Sequence, residues 1–171
     1  MTAVRLSADL ATATDGSLWV GTGFGVCVRV TWLCMGLGGR VAGDDRGPGA
    51  VYGGNAAALT RVGAELLTTV EIPLHVGREL LSPGIGLGAG WLSETATHEE
   101  NDAHLDSFGP RIELRLMLAF PAWWRLAINA GVWAELGPSA RSTSVVHDGF
   151  TIPAEPLGYV GAGLGVRHAG P

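Results

Sequence analysis

The feature that most constrains this chain is a two-residue period in which one face is apolar and the other is rich in glycine. Successive side chains of a strand point to opposite faces, so the period calls for extended structure. Over 123–136, Trp124, Leu126, Ile128, Ala130, Val132, Ala134 and Leu136 form one set. Trp123, Arg125, Ala127, Asn129, Gly131, Trp133 and Glu135 form the other. Ile85, Leu87, Ala89 and Trp91 alternate with four glycines, each of which would cost a helix about 1 kcal/mol. The same split predicts eight strands, at 3–12, 16–29, 32–43, 59–72, 80–93, 109–121, 123–137 and 157–168. Pro83 deletes a ladder donor, and its place near a strand start leaves room for late pairing or a bulge.

The connections alternate in length. Those near Val30-Thr31, from Pro73 to Glu79 and at Pro121-Ala122 are compact, whereas 44–57, 94–107 and 138–156 are long. An up-and-down antiparallel barrel sends alternate connections to opposite ends, and closing the sheet removes its two raw edges. The expected fold is therefore all-β, one eight-stranded antiparallel up-and-down barrel spanning 1–171.

Two barrels share this alternation: a soluble one with its apolar face inside, and a membrane one with that face outside. The sequence favours the second. Its strands reach the ~9–11 tilted residues that a bilayer requires. The glycine-rich face suits a narrow eight-stranded interior, which accepts mainly small side chains. That face also carries Arg5, Arg29, Arg40, Arg61, Arg111, Arg115, Arg125 and Arg167 against Asp9, Glu65, Glu71, Glu113 and Glu135. Buried charges require partners, and arginine is the better residue for bidentate pairing. All 11 basic residues are arginine. Trp32, Phe120, Trp123 and Trp124 gather at the tight-turn end and Trp91 lies near the other, as in interfacial belts.

The chain resembles the small bacterial outer-membrane β-barrel proteins, the superfamily of the outer membrane protein A transmembrane domain. The resemblance covers nearly the whole chain. It rests on strand pattern, loop order and phrases such as Pro-Gly-Ile-Gly-Leu-Gly-Ala-Gly (83–90) and Val-Gly-Ala-Gly-Leu-Gly-Val-Arg (160–167). It implies an outer-membrane location and lipid and lipopolysaccharide as surroundings. One departure is His168, at the outward position where the family usually places an aromatic residue on its last strand. Residues 1–14 show no charged segment followed by a long apolar run, so no export signal is expected within the chain.

Several groups could carry chemistry. Arg61, Glu65, Glu113, Arg115, Arg125 and Glu135 are expected to form an ion-pair network that plugs the lumen; a narrow pore is the alternative. Cys27 and Cys34 share the inward face on either side of the Val30-Thr31 turn, and form either a disulfide or two buried thiols. His98, Glu99, Glu100, Asp102, His104 and Asp106 could offer ligands to a divalent cation, against the plainer reading of a solvated acidic loop. Ten acids face two arginines, Arg46 and Arg141, at the long-loop end, giving a negative rim. Ser142 and Ser144 precede His147-Asp148, which does not match an activated-serine arrangement. A net charge of −5 without a dominant basic patch argues against nucleic-acid binding. With 47% apolar and only 16% charged residues, intrinsic disorder is excluded. The expected function is thus non-enzymatic and cofactor-free, a monomer doing structural or surface-interaction work through 44–57, 94–107 and 138–156. A soluble barrel binding an apolar ligand is the runner-up.

Overall fold

A computed structural model describes residues 2–46, 49–138 and 140–169. Eight long strands carry the fold: β1 (Thr2–Ala13), β2 (Leu18–Val30), β3 (Leu33–Arg46), β5 (Asn55–Glu71), β7 (Glu79–His98), β8 (Asn101–Trp123), β9 (Leu126–Leu136) and β12 (Gly158–Ala169). Four short ones, β4 (Ala50–Tyr52), β6 (Leu74–Val76), β10 (Val145–His147) and β11 (Phe150–Ile152), lie in the connections. Each long strand pairs antiparallel with the next, and β1 pairs with β12 from Ala3↔Ala169 to Ala13↔Tyr159. The pairings form a cycle, so the cylinder has no free edge within its wall.

Side-chain direction follows the sequence alternation. Leu114, Leu126 and Leu164 are 61%, 46% and 66% exposed, whereas Arg115 is 9% exposed and Glu113 1%. The apolar face is the outer wall and the charged, glycine-rich face is the lumen, the reverse of a soluble ligand-binding barrel. Glycine lets neighbouring strands close up inside. At Gly88 an added Cβ would stand 2.0 Å from the Leu66 carbonyl oxygen, and at Gly165 1.9 Å from that of Leu6.

Pro83 falls where β7 changes partners, between β6 (last pair Leu74↔Leu81) and β5 (first pair Glu71↔Gly84). Its carbonyl still accepts from the Ile72 N–H at 2.9 Å. The missing N–H thus falls just beyond the end of the β5–β7 ladder, where one lost donor is tolerated.

Three boundaries differ from the sequence expectation. The β2–β3 turn is Thr31–Trp32, one residue later than expected, with Thr31 at φ 57°. The β8–β9 turn is Trp124–Arg125, with Trp124 at φ 52°. Residues 94–107 are not a loop: β7 and β8 run on as a ladder to His98↔Asn101. Seven residues of β7 thus extend past Trp91, roughly 20 Å along the strand.

The other two excursions are also ordered into strands. β4 pairs with β5, β10 with β11, and β11 with β4 through Phe150↔Tyr52 and Thr151↔Val51. A small core of Ala50, Ala57, Ala96, Ala103, Phe150 and Ile152 packs beneath them. The long-loop end is therefore a folded cap with its own hydrophobic centre.

Candidate functional site: the charged lumen and its cap

Cross-strand register builds the lumen network. β3 sets Arg40 opposite Glu65 of β5, and the guanidinium reaches the centre of the cylinder. There it contacts Glu65 and Glu135 at 3.0 Å, Asp9 at 3.6 Å, and Glu113. Its Cζ stands 3.4 Å from the Trp133 ring centroid, a cation–π contact in a desolvated setting. Arg111 joins Glu135 at 3.3 Å. Arg115 contacts Glu113 and reaches Glu71 at 3.6 Å, and Arg5 donates to Glu71 at 3.2 Å. The chain of charges thus spans strands from both halves of the sequence.

Of the residues expected in this network, Glu65, Glu113, Arg115 and Glu135 do come together. Arg61 does not join them. It is fully buried nearer the cap, bound to Asp44 and to Asp15 at 2.7 Å, with Trp19 against it. Arg125 is a correction: it lies exposed in the β8–β9 turn, outside the network, because the chain reverses two residues before β9 begins. Arg40 is the centre, and sequence reasoning had placed it only among inward residues. Its signal was the mid-strand inward position facing Glu65.

The cavities beside the ion pairs are small, whereas one of about 240 Å³ opens at the tight-turn end. Cavities of about 50, 20 and 30 Å³ flank the ion pairs, each with room for a water or two. The 20 Å³ cavity is lined by Ser82 and Asn129, whose side-chain polar atoms have no protein partner among the described residues.

Toward the cap, Arg141 crosses from the β9–β12 connection to contact Glu94 of β7 and, at 3.4 Å, Glu155. It also donates to the Pro153 carbonyl at 2.9 Å. This ties the last excursion to the β7–β8 extension. Burial pushes the Glu94 carboxyl up, against the opposing pull of Arg141. Asp15, in the β1–β2 turn, moves the other way. Burial would raise it, but bonds from the Ser17 hydroxyl (2.6 Å), the Ser17 N–H (3.0 Å) and Arg61 hold it below the ordinary carboxylate range.

Cys27 and Cys34 are joined by a disulfide, Cα–Cα 5.6 Å. They are diagonal neighbours, since Cys27 faces Gly36 and Cys34 faces Arg29. The suggested cation site is not assembled: among the described residues no group of three His, Cys, Asp or Glu side chains is placed to hold a metal ion. The hairpin strings them out. His98 packs on Tyr52, Glu99 and Glu100 form the turn, and Asp102, His104 and Asp106 alternate along the outer face of β8.

One constellation was not anticipated. The His104 Nε2 lies 3.2 Å from Asp106 and 3.4 Å from Ser93 Oγ, and Nδ1 lies 3.2 Å from Thr95 Oγ1. All four residues sit in the β7–β8 ladder, where Ser93 faces Asp106 and Thr95 faces His104.

No protein-family model matches the chain, and no curated protein matches it in sequence. Solved structures do. Neisserial surface protein A aligns with TM-score 0.59 over 98% of this chain and 94% of that one, at 8% identity. A major outer membrane protein from Thermus thermophilus aligns with TM-score 0.63 over 96% and 98%, at 12% identity. At such identities the likeness is one of fold, and the fold is that of the eight-stranded transmembrane barrels.

Proposed function

We propose that the chain is a non-enzymatic integral protein of a bacterial outer membrane, a monomer whose plugged cylinder holds a rigid cap against the outside. The observation that carries this reading is the Arg40-centred chain of ion pairs, with only water-sized space around it, beneath a folded cap. A lumen closed in this way favours a scaffold over a solute channel. The exposed apolar wall, bounded toward the cap by Trp91 and Phe108, supports residence in hydrocarbon. Ser142 and Ser144 are exposed, and His147 contacts Asp148 at 3.4 Å. Beyond the lipid boundary the cap presents Glu99, Glu100, Asp102, Asp106 and Asp148 to solvent. Those acids suit bridging by divalent ions to lipopolysaccharide, or a basic surface partner, through 44–57, 94–107 and 138–156.

Purified protein in planar lipid bilayers tests the reading. The expected result is no conductance above that of lipid alone, with heat-modifiable migration on gels and co-fractionation with outer membranes. Discrete, reproducible channel openings would instead favour a narrow pore and reject the plug.

A further inference from the structure

The arginines at the tight-turn end differ from the others. Arg5, Arg40, Arg61, Arg111, Arg115 and Arg141 each contact a carboxylate. Arg29, Arg78, Arg125 and Arg167 are in no ion pair among the described residues, and all four line one open cavity of about 240 Å³. They arrive from four places: the end of β2, the β6–β7 turn, the β8–β9 turn and the inward face of β12. His75 of β6 faces the same space, and among the described residues no acid lines it. Glu71, whose charge reaches Arg167, is already committed to Arg5 and Arg115.

Local structure holds this arrangement in place. Arg29 lies between Cys27 and Cys34, so the disulfide clamps its hairpin, and its Nε donates to the Thr31 carbonyl at 3.2 Å. Pro73, Leu80, Pro121 and Trp124 line the cavity between the arginines. Four like charges lining one cavity repel one another, and an entering anion relieves that repulsion.

We infer that this vestibule binds a compact, multivalent phosphate-type oxyanion drawn from the aqueous phase at the tight-turn face. A planar guanidinium fork matches phosphate oxygens two at a time. The volume falls below the ~300–1,000 Å³ of sites for drug-sized ligands, which suits one or two phosphoryl groups. Inward-facing residues of β1, β7 and β12 line the cavity, so it opens along the barrel axis, whereas lipid headgroups stand around the outer wall.

The test is calorimetric titration of inorganic pyrophosphate into the full chain in phosphatidylcholine nanodiscs. One saturable site is expected, weakened by added salt. Arg78→Gln and Arg125→Gln should each weaken it by about tenfold, the scale of one charge-assisted hydrogen bond. Both residues are exposed turn residues without ion pairs, and heat-modifiable migration confirms that each variant is folded. If one variant fails to fold, the other still decides. Absence of saturable binding, or unchanged affinity in a folded variant, overturns the inference. Nanodiscs containing phosphatidylglycerol separate the sources. Pyrophosphate affinity unchanged in them supports the soluble anion, whereas affinity lost there would assign the site to a lipid headgroup and overturn the choice made here.

Discussion

Replacing Arg40 by methionine removes the centre of the lumen network while keeping most of the side chain's length. Glu113 retains Arg115, and Glu135 retains Arg111 at 3.3 Å. Asp9 and Glu65 lose their only cation contacts among the described residues. The Arg40 side chain is 12% exposed and those of Asp9 and Glu65 are 8% and 7%, so solvent cannot take over its role cheaply. Removing one partner of a buried pair costs about 3–5 kcal/mol, because the other charge stays behind. Arg40→Met is therefore expected to destabilise the barrel by about that amount. Adding Glu65→Gln removes one stranded charge and should recover about 1–3 kcal/mol, the range of coupling between contacting residues. Urea unfolding in lipid vesicles, followed by tryptophan fluorescence, measures Arg40→Met, Glu65→Gln and the double variant. The reasoning fails if Arg40→Met stays within about 1 kcal/mol of the wild type, or if the two penalties simply add.

Gly88→Ala should be more disruptive than its size suggests. The new methyl meets the Leu66 carbonyl at 2.0 Å and the Leu67 Cα at 2.8 Å, so backbone must shift at a cost of about 1–3 kcal/mol or more, read as a smaller heat-modifiable fraction after refolding. Arg125→Ala, by contrast, should leave unfolding stability within about 0.5 kcal/mol, as for other exposed surface positions; a large loss in the same urea assay would return Arg125 to the lumen. Replacing both Cys27 and Cys34 by serine should cost about 2 kcal/mol, from the short loop released, with intact mass before and after reduction confirming the bond in the wild type. Because the folded Asp15 carboxyl lies below its ordinary range, its contribution is present above that range and is lost as pH falls through the lower folded value. Carbon-13 NMR of Asp15 should place its midpoint below that of an unfolded aspartate, and a midpoint at or above it would refute the Ser17–Arg61 clasp.

Much of the cylinder could be read from the chain because each barrel residue must choose between two solvents. Leu114 beside Arg115, or Leu164 between two glycines, states that choice locally. Partnership is not local. Nothing within β3 says that Arg40 meets Glu113, 73 residues away, since that contact exists only once the cylinder has closed. The cap was hidden for a different reason. His98 to Asp106 continue a ladder whose outer face meets water, so no apolar alternation marks it. β4, β10 and β11 are three residues each, too short for a period to register. The ends of β2 and β9 were misjudged where Thr31 and Trp124 adopt left-handed backbone, which neither residue type advertises.

The ladder between β1 and β12 has a consequence for how such a wall is put up. Its two members stand at opposite extremes of the chain, so whatever has been laid down before the last strand docks is an open sheet with two hungry margins. Hydrocarbon offers those margins no hydrogen bonds. Insertion must therefore either wait for the seam to be sewn or proceed under the shelter of another protein that lends its own strand until the seam is shut.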